Sequence, residues 1–144
     1  MPTDSAEAAD RLSQRRVRVL QAVMILFAVQ AGRPQVDMPQ RTVEFVGHFA
    51  WLALALVLFL ILRTGGFWLR DPALRALAND EVTRANRADA MEWGFTAAII
   101  TAIIGCVVAS LTAMPSVFAF KLVILIGLFV ATFRFIKLER AALA

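Results

Sequence analysis

The chain has 144 residues, of which 60% are hydrophobic, and its mean hydropathy is +0.70. Soluble domains contain about 45 to 50% apolar residues, so this composition favours lipid as the surrounding medium. Fifteen Lys and Arg residues against eleven Asp and Glu residues leave a net charge of +4. We attribute this excess to the cytoplasmic side of a membrane protein rather than to nucleic-acid binding. The single cysteine, Cys106, excludes a disulfide framework within the chain.

Four apolar segments follow one another along the sequence. They cover about residues 17–31, 43–62, 91–111 and 117–136. A membrane-spanning helix needs about 20 mostly apolar residues, and the last three segments meet that length. The pattern predicts one domain over residues 1–144, an all-α integral membrane four-helix bundle with both termini in the cytoplasm.

The first apolar segment is the shortest and contains Gln21 and Gln30. A cleaved signal peptide is the alternative interpretation, because Arg residues precede a short apolar stretch. The polar leader before it includes Asp4, Glu7 and Asp10. This leader is long for the n-region of a signal peptide and contains acidic residues, so we expect a retained first helix.

The orientation follows from the positive residues in the connections, which stay on the cytoplasmic side of a membrane. Twelve of the fifteen belong to the N-terminal segment, the connection 63–90 or the C-terminal end. These are Arg11, Arg15, Arg16, Arg18, Arg63, Arg70, Arg75, Arg84, Arg87, Arg134, Lys137 and Arg140. Only Arg33 and Arg41 lie in the first connection, on the opposite side. We therefore expect the connection 63–90 to face the cytoplasm.

The connection 63–90 has helical signals of its own. Asp71 before Pro72 suits the start of a short helix, and Asn79 or Asp80 can cap a second helix that continues into the third apolar segment. At 1.5 Å per residue, the charged part of that helix would extend ~18 Å beyond the hydrocarbon. We interpret it as a docking surface for a cytoplasmic protein, with a solvated charged face as the alternative. The candidate partner-binding residues are Arg75, Asp80, Glu81, Arg84, Arg87 and Ala88.

Small residues recur within the third apolar segment. Ala98, Ala102, Gly105 and Ala109 are spaced by four, three and four residues, which places them on one face of a helix. Such a face allows close packing of transmembrane helices. The pattern leaves two interpretations open, namely packing inside the bundle and formation of a homodimer.

Ionisable residues near the opposite membrane face form a second candidate site. Glu44 and His48 are one helical turn apart, and Lys121 lies in the corresponding part of the last segment. Intramembrane ionisable groups are costly and are often functional. A structural ion pair of Glu44 with Lys121 is the alternative to a ligand cavity. Trp51 lies close to the same face, either as an interfacial anchor or buried near His48.

At the cytoplasmic end, Glu92 is expected to meet Arg63, Arg134 or Lys137 in an ion pair between helices. Enzyme signatures do not occur: the sequence has one His and one Cys, and it contains no zinc-protease, nucleophile-elbow or phosphate-loop motif. We therefore predict a protein that is not an enzyme and that needs neither a cofactor nor a metal.

The stretch NDEVTRANRADAMEWGF, residues 79–95, leads from the cytoplasmic connection into the third apolar segment. It resembles a group of small four-helix bacterial membrane proteins of poorly defined function, often encoded beside short helix-turn-helix regulators. The matching positions are Asp80, Glu81, Arg84, and Ala88 or Ala90. The resemblance implies a protein that binds a small DNA-binding regulator and sequesters it at the inner membrane, without contacting nucleic acid itself.

Two other functions remain as alternatives. Small multidrug transporters have a similar size, but their mechanism needs a carboxylate deep in the first helix, where this chain has Gln21. An accessory or scaffold subunit of a larger membrane complex would use small-residue packing faces equally well.

Overall fold

A computed structural model of the protein describes residues 3–31, 42–64, 81–112 and 114–142. These residues form four helices and, within those ranges, no strand. The helices are α1 (Thr3–Ala31), α2 (Thr42–Thr64), α3 (Glu81–Leu111) and α4 (Ser116–Ala142). The predicted all-α fold of four helices is confirmed for this part of the chain. The predicted short helix 72–78 and the caps at Asn79 and Asp80 lie outside the described residues.

Three of the four helices are long and apolar enough to cross a membrane. Their candidate spans are Phe45–Thr64, Glu81–Leu111 and Ser116–Ala141. The apolar part of α1, Val17–Ala31, is shorter than a full span. Length and composition therefore support three of the predicted spans, whereas the span predicted at residues 17–31 stays a prediction.

A tight turn joins α3 to α4. The backbone N–H and the hydroxyl of Thr112 both donate to the Val108 carbonyl at 2.9 Å, which completes the last turn of α3. The Pro115 carbonyl accepts a hydrogen bond from the Ala119 N–H at 3.2 Å as α4 begins. Proline suits this position because the first N–H groups of a helix have no partner within it. The two helices consequently form an antiparallel hairpin.

The α4 helix is the centre of the bundle, because it packs against each of the other three helices. Its contact with α3 is the most extensive, whereas α2 and α3 touch each other only slightly. We call the end of the bundle that contains Arg63 and Arg134 the arginine end, and the end that contains the Pro115 turn the proline end.

Buried apolar side chains from α1, α2 and α4 form most of the core, and α3 contributes Ala90. On α2 they are Trp51, Ala55, Leu58 and Leu62, at spacings of four, three and four residues. This spacing places them on one face of the helix, directed at the neighbouring helices. The α1 helix adds Val17, Leu20 and Phe27, and α4 adds Ala131, Phe135 and Ile136. The core thus positions α1 and α2 on one side of α4, with α3 packed on α4 beside them.

Candidate functional site

The α3 helix is longer than a membrane is thick. Its 31 residues span about 46 Å, whereas the hydrocarbon core of a bilayer is about 30 Å thick. The sequence is charged from Glu81 to Glu92 and apolar from Trp93 onward. The excess length therefore lies at the arginine end, as a continuous helical extension of the span. The predicted continuity between the charged and apolar halves is confirmed from Glu81 onward.

Two contacts hold this extension against the bundle. Arg87 donates from Nη1 to the backbone carbonyl of Arg63 at 3.2 Å, which links α3 to the last turn of α2. Arg134 on α4 donates from Nε to the Asp89 carboxylate at 2.8 Å. The Arg134 guanidinium also lies 5.5 Å from the ring centroid of Trp93, within cation–π distance. The first turns of α3 are thereby fixed to both α2 and α4.

One side of the extension faces away from the bundle. Glu81, Arg84, Ala85 and Ala88 are all exposed, and their spacing of three or four residues places them on the same face of the helix. We call these four residues the outward face. Val82 stands beside it and is 53% exposed. The outward face therefore combines two opposite charges with small side chains that another helix can approach closely.

The predicted partner-binding residues divide into three groups. Glu81, Arg84 and Ala88 belong to the outward face. Arg87 is half-buried and faces α2, so its contact with the Arg63 carbonyl gives it a role inside the protein. Asp80 and Arg75 lie outside the described residues.

The expected ion pair at Glu92 is replaced by one at Asp89. Glu92 is exposed, whereas Asp89 is partly buried and pairs with Arg134. Asp89 and Glu92 are three residues apart and therefore lie on neighbouring parts of the helix surface. A small difference in the rotation of α3 decides which carboxylate meets α4, and the sequence does not reveal that rotation.

At the proline end, Lys121 lies against an aromatic ring. Its Nζ is 5.2 Å from the ring centroid of Trp51, and Trp51 stacks on Phe27 of α1 with centroids 5.0 Å apart. Trp51 is only 1% exposed. It is therefore buried within the bundle and is not an interfacial anchor. The three residues join α1, α2 and α4, and their contacts suit a structural role.

The other members of the predicted polar cluster are only partly placed. His48 is half-buried one turn before Trp51 on α2, and it takes part in an interaction of its own. The side chain of Glu44 lies outside the described residues. The Trp51 Nε1 atom is buried and has no hydrogen-bond partner among the residues that the structure describes. The predicted pairing of Glu44 with Lys121 stays a prediction.

Glycine and alanine bring α3 and α4 into close contact near the arginine end. A Cβ atom added to Gly94 would lie 2.5 Å from the Ala131 Cβ and 2.7 Å from the Gly127 carbonyl oxygen. A Cβ atom added to Gly127 would lie 2.9 Å from the Ala98 Cβ. Neither position has room for a larger side chain. We call these four residues the small-residue crossing.

The crossing includes only one residue of the predicted small-residue face. Ala98 contributes directly, whereas a Cβ atom at Gly105 would meet no other atom within 4 Å. Ala102 is half-buried and Ala109 is exposed, so the face becomes less covered toward the proline end. The sequence did not single out Gly94 or Gly127, although each precedes an alanine by four residues, the spacing of a close helix contact.

An apolar groove runs along the bundle between α2 and α3, with α4 as its floor. Its volume is about 430 Å³. The walls include Leu56 and Phe59 from α2 and Met91 and Phe95 from α3, and the small-residue crossing forms part of the floor. The described residues that line it are all apolar or glycine. Such a groove accepts hydrocarbon and offers no charged group to a polar ligand within it.

Within the part of the chain that the structure describes, no group of three or more His, Cys, Asp or Glu residues is arranged to hold a metal ion. Comparisons of the chain with protein-family models, with curated proteins and with solved structures found no match. The resemblance of residues 79–95 to small four-helix bacterial membrane proteins therefore stays a prediction.

Proposed function

We propose that this protein is a non-enzymatic, multi-pass protein of the bacterial inner membrane that binds a small cytoplasmic DNA-binding regulator and sequesters it at the membrane. The observation that carries the proposal is the outward face, in which Glu81, Arg84, Ala85 and Ala88 are exposed on an extension longer than the span needs. The resemblance at residues 79–95 supplies the class of partner.

The position of the outward face relative to the membrane supports this proposal. Twelve of the fifteen Lys and Arg residues belong, by sequence, to the N-terminal segment, the connection 63–90 or the C-terminal end. Positive residues remain on the cytoplasmic side during insertion, so this end and both termini would face the cytoplasm. A DNA-binding regulator would then meet the outward face directly.

The fixed attachment of α3 also favours a docking role. A helix that is already held by Arg63 and Arg134 loses little backbone freedom when a partner binds, so the main entropic cost comes from its side chains. The charges of Glu81 and Arg84 can select the orientation of the partner, while Ala85 and Ala88 let its helix approach closely. These properties together suit recognition of one helical surface.

The test is a pull-down of the detergent-solubilised protein from its native host, with bound proteins identified by mass spectrometry. The variant combines Glu81→Lys, Arg84→Glu and Ala88→Arg, which reverses both charges and blocks the small strip. Arg140→Glu is the matched control, because Arg140 is an exposed residue in the last turn of α4 at the same end. Size-exclusion chromatography checks that each variant remains folded.

We expect the wild-type protein and the Arg140→Glu control to retain a small DNA-binding protein that the triple variant loses. Retention of that protein by all three baits would place docking elsewhere, and the outward face would have no role in it. If no bait retains a DNA-binding protein, the proposal is rejected and the outward face is a solvated helix end.

The alternative of an accessory subunit has one observation in its favour. From Ile99 to Leu111, most side chains of α3 are exposed, including Ile103, Ile104 and Val107. A second membrane protein or a second copy of this chain could cover that surface in place of lipid. Copurification of another membrane subunit, or a dimer mass in the same experiment, would favour this function. A small multidrug-type transporter has less support, because no carboxylate is among the described residues that line the groove.

A further inference from the structure

A second, smaller cavity, which we call the aromatic cleft, lies between α3 and α4 and opens at the surface of the bundle. Its volume is about 180 Å³, and it shares no lining residue with the apolar groove. The residues that line it are Trp93 from α3 and Phe129, Val130, Phe133 and Arg134 from α4. The rings of Phe129 and Phe133 lie parallel, with centroids 6.5 Å apart, and all three aromatic side chains are exposed. The cleft therefore presents to the surrounding medium rings that the core does not use.

The aromatic cleft lies at the depth of a membrane surface. Trp93 precedes Leu111, the last residue of α3, by eighteen positions. Arg134 follows Ser116, the first residue of α4, by the same number. At 1.5 Å per residue, each lies about 27 Å from the turn at Pro115, close to the ~30 Å thickness of the hydrocarbon core. The cleft thus borders both hydrocarbon and lipid head groups, the boundary at which tryptophan is enriched.

Polar atoms at the end of the cleft have unused hydrogen-bonding capacity. Arg134 uses its Nε atom for the 2.8 Å hydrogen bond to Asp89 Oδ2, whereas a guanidinium group has five N–H donors. Within the described part of the chain, the structure shows no hydrogen bond from Nη1 or Nη2 of Arg134 and none to Oδ1 of Asp89. The guanidinium is held in place by Asp89 and by Trp93, whose ring centroid lies 5.5 Å away. Donors and an acceptor therefore stand side by side, partly exposed, in a fixed arrangement.

We infer that the aromatic cleft binds phosphatidylethanolamine, with the lipid phosphate on Arg134, the ammonium on Asp89 and one acyl chain along the rings. A guanidinium group donates parallel hydrogen bonds to two phosphate oxygens, and Nη1 and Nη2 of Arg134 provide such a pair of donors. The primary ammonium of ethanolamine has N–H donors that a carboxylate oxygen accepts. The ethanolamine head group joins its two charges by a short linker, which suits two side chains that already contact each other.

The size of the cleft suits a lipid rather than a helical partner. One turn of helix, 5.4 Å long and about 10 Å wide, occupies roughly 400 Å³, more than twice the 180 Å³ of the cleft. A hydrocarbon chain is narrow enough to lie between the Trp93 ring and the rings of Phe129 and Phe133. We therefore assign the exposed rings to contact with an acyl chain.

The charges around the cleft favour this zwitterionic head group over an anionic one. Asp89 already balances the charge of Arg134. One turn away on the same two helices, Glu92 and Lys137 are exposed and add one charge of each sign. A head group that carries only a phosphate would therefore meet two carboxylates without offering them a cation. Phosphatidylcholine carries both charges, but its quaternary ammonium has no N–H group to donate to Asp89.

The test uses the purified full chain in a neutral detergent, titrated with phosphatidylethanolamine, phosphatidylcholine or phosphatidylglycerol of the same acyl composition and followed by native mass spectrometry. Asp89→Asn removes the charge that receives the ammonium and keeps an oxygen that can accept from Arg134. Arg134→Gln removes the donors to the phosphate. Arg140→Gln is the matched control, because Arg140 is an exposed arginine at the same end of α4 that does not line the cleft. Thermal unfolding checks that each variant is folded.

We expect the wild-type protein to bind phosphatidylethanolamine more tightly than either of the other lipids. Asp89→Asn should weaken phosphatidylethanolamine binding about threefold to fivefold, the effect of one partly exposed ion pair. The same substitution should strengthen phosphatidylglycerol binding, because a charge that repels this anionic lipid is lost. Arg134→Gln should weaken the binding of all three lipids, since each has a phosphate, and Arg140→Gln should change none of the affinities.

A second readout locates the acyl chain. Phosphatidylethanolamine with a photoreactive diazirine in its acyl chain should crosslink to peptides that contain Trp93 or Phe133, and Phe133→Ala should reduce these crosslinks. Crosslinks confined to other surfaces would overturn the inference. Equal affinities for phosphatidylethanolamine and phosphatidylcholine, weaker phosphatidylglycerol binding in Asp89→Asn, or equal effects of Arg134→Gln and Arg140→Gln would also overturn it. The partner experiment changes residues of the outward face instead, so one proposal can fail without the other.

Discussion

Arg134 on α4 donates from Nε to a carboxylate oxygen of Asp89 on α3 at 2.8 Å. The same guanidinium group lies over Trp93, one turn further along α3, so α3 provides both an anion and an aromatic face for one side chain of α4. Asp89 and Arg134 are each more than a third exposed, at 39% and 35%. Their pairing therefore aligns α3 with α4 and stabilises the hairpin only modestly.

We expect Asp89→Asn to lower the free energy of unfolding by about 1 kcal/mol, because it removes the charge from a partly exposed pair. The measurement is unfolding by sodium dodecyl sulfate in mixed micelles. Glu92→Gln is the matched control and should have no effect, since Glu92 is exposed and Arg134 pairs with Asp89. A larger loss for Glu92→Gln than for Asp89→Asn would show that the pairing is wrong.

The small-residue crossing predicts a contrast among three glycines. Gly94→Ala and Gly127→Ala should each destabilise the protein by about 1 to 3 kcal/mol, because the added Cβ atoms have to push α3 and α4 apart. Gly105→Ala should be neutral or stabilising, since its Cβ atom enters open space and alanine favours the helix. The same micellar unfolding assay compares the three variants, and equal effects would contradict the crossing.

The contact between Lys121 and Trp51 can be measured with a double-mutant cycle. Lys121→Met should cost about 0.5 to 2 kcal/mol when Trp51 is present, because a partly desolvated cation loses its aromatic partner. In a Trp51→Leu background the same substitution should cost nothing. Trp51→Leu alone should cost about 2 to 4 kcal/mol, because it leaves space beside Phe27 in the core. An unchanged cost in both backgrounds would show that Lys121 acts through another group.

The proposed orientation predicts opposite labelling of the two ends of the bundle. In a Cys106→Ser background, a cysteine at Ala85 should react with a membrane-impermeant maleimide only after the cells are opened. A cysteine at Ser116 should react in intact cells, because this exposed residue starts α4 at the proline end. The reverse pattern would place the outward face outside the cytoplasm and would exclude a cytoplasmic regulator as its partner.

The helices were predictable from the sequence because long apolar runs without internal proline have few alternatives in lipid. The continuity of α3 from Glu81 to Leu111 also follows from local sequence, since nothing in that stretch interrupts helical hydrogen bonding. Of the candidate docking residues, Glu81, Arg84 and Ala88 are exposed, whereas Arg87 is directed toward α2, and their role in docking stays a prediction. The rotation of the charged end of α3 about its own axis determines which of these residues are exposed and which face α2.

Contacts between helices were harder to predict. The sequence pattern favoured the face that contains Gly105, but the close contact uses Gly94 and Gly127, which lie on different helices. Such a contact depends on the position of α3 along the axis of α4. The short turn at Pro115 restricts that position, but the sequence pattern does not show which small residues meet as a result. The apolar groove depends on the same arrangement, because it exists only where α2 and α3 fail to meet over α4.

The central position of α4 has a consequence for biogenesis. The helices α1 and α2 are made before α4, yet most of the surface that they share with the rest of the bundle belongs to α4. Until Ser116–Ala142 enters the membrane, the earlier helices lack their common neighbour. The four described helices can therefore pack together only after α4 has been made, and a chain that stops before α4 would lack the one helix that contacts the other three.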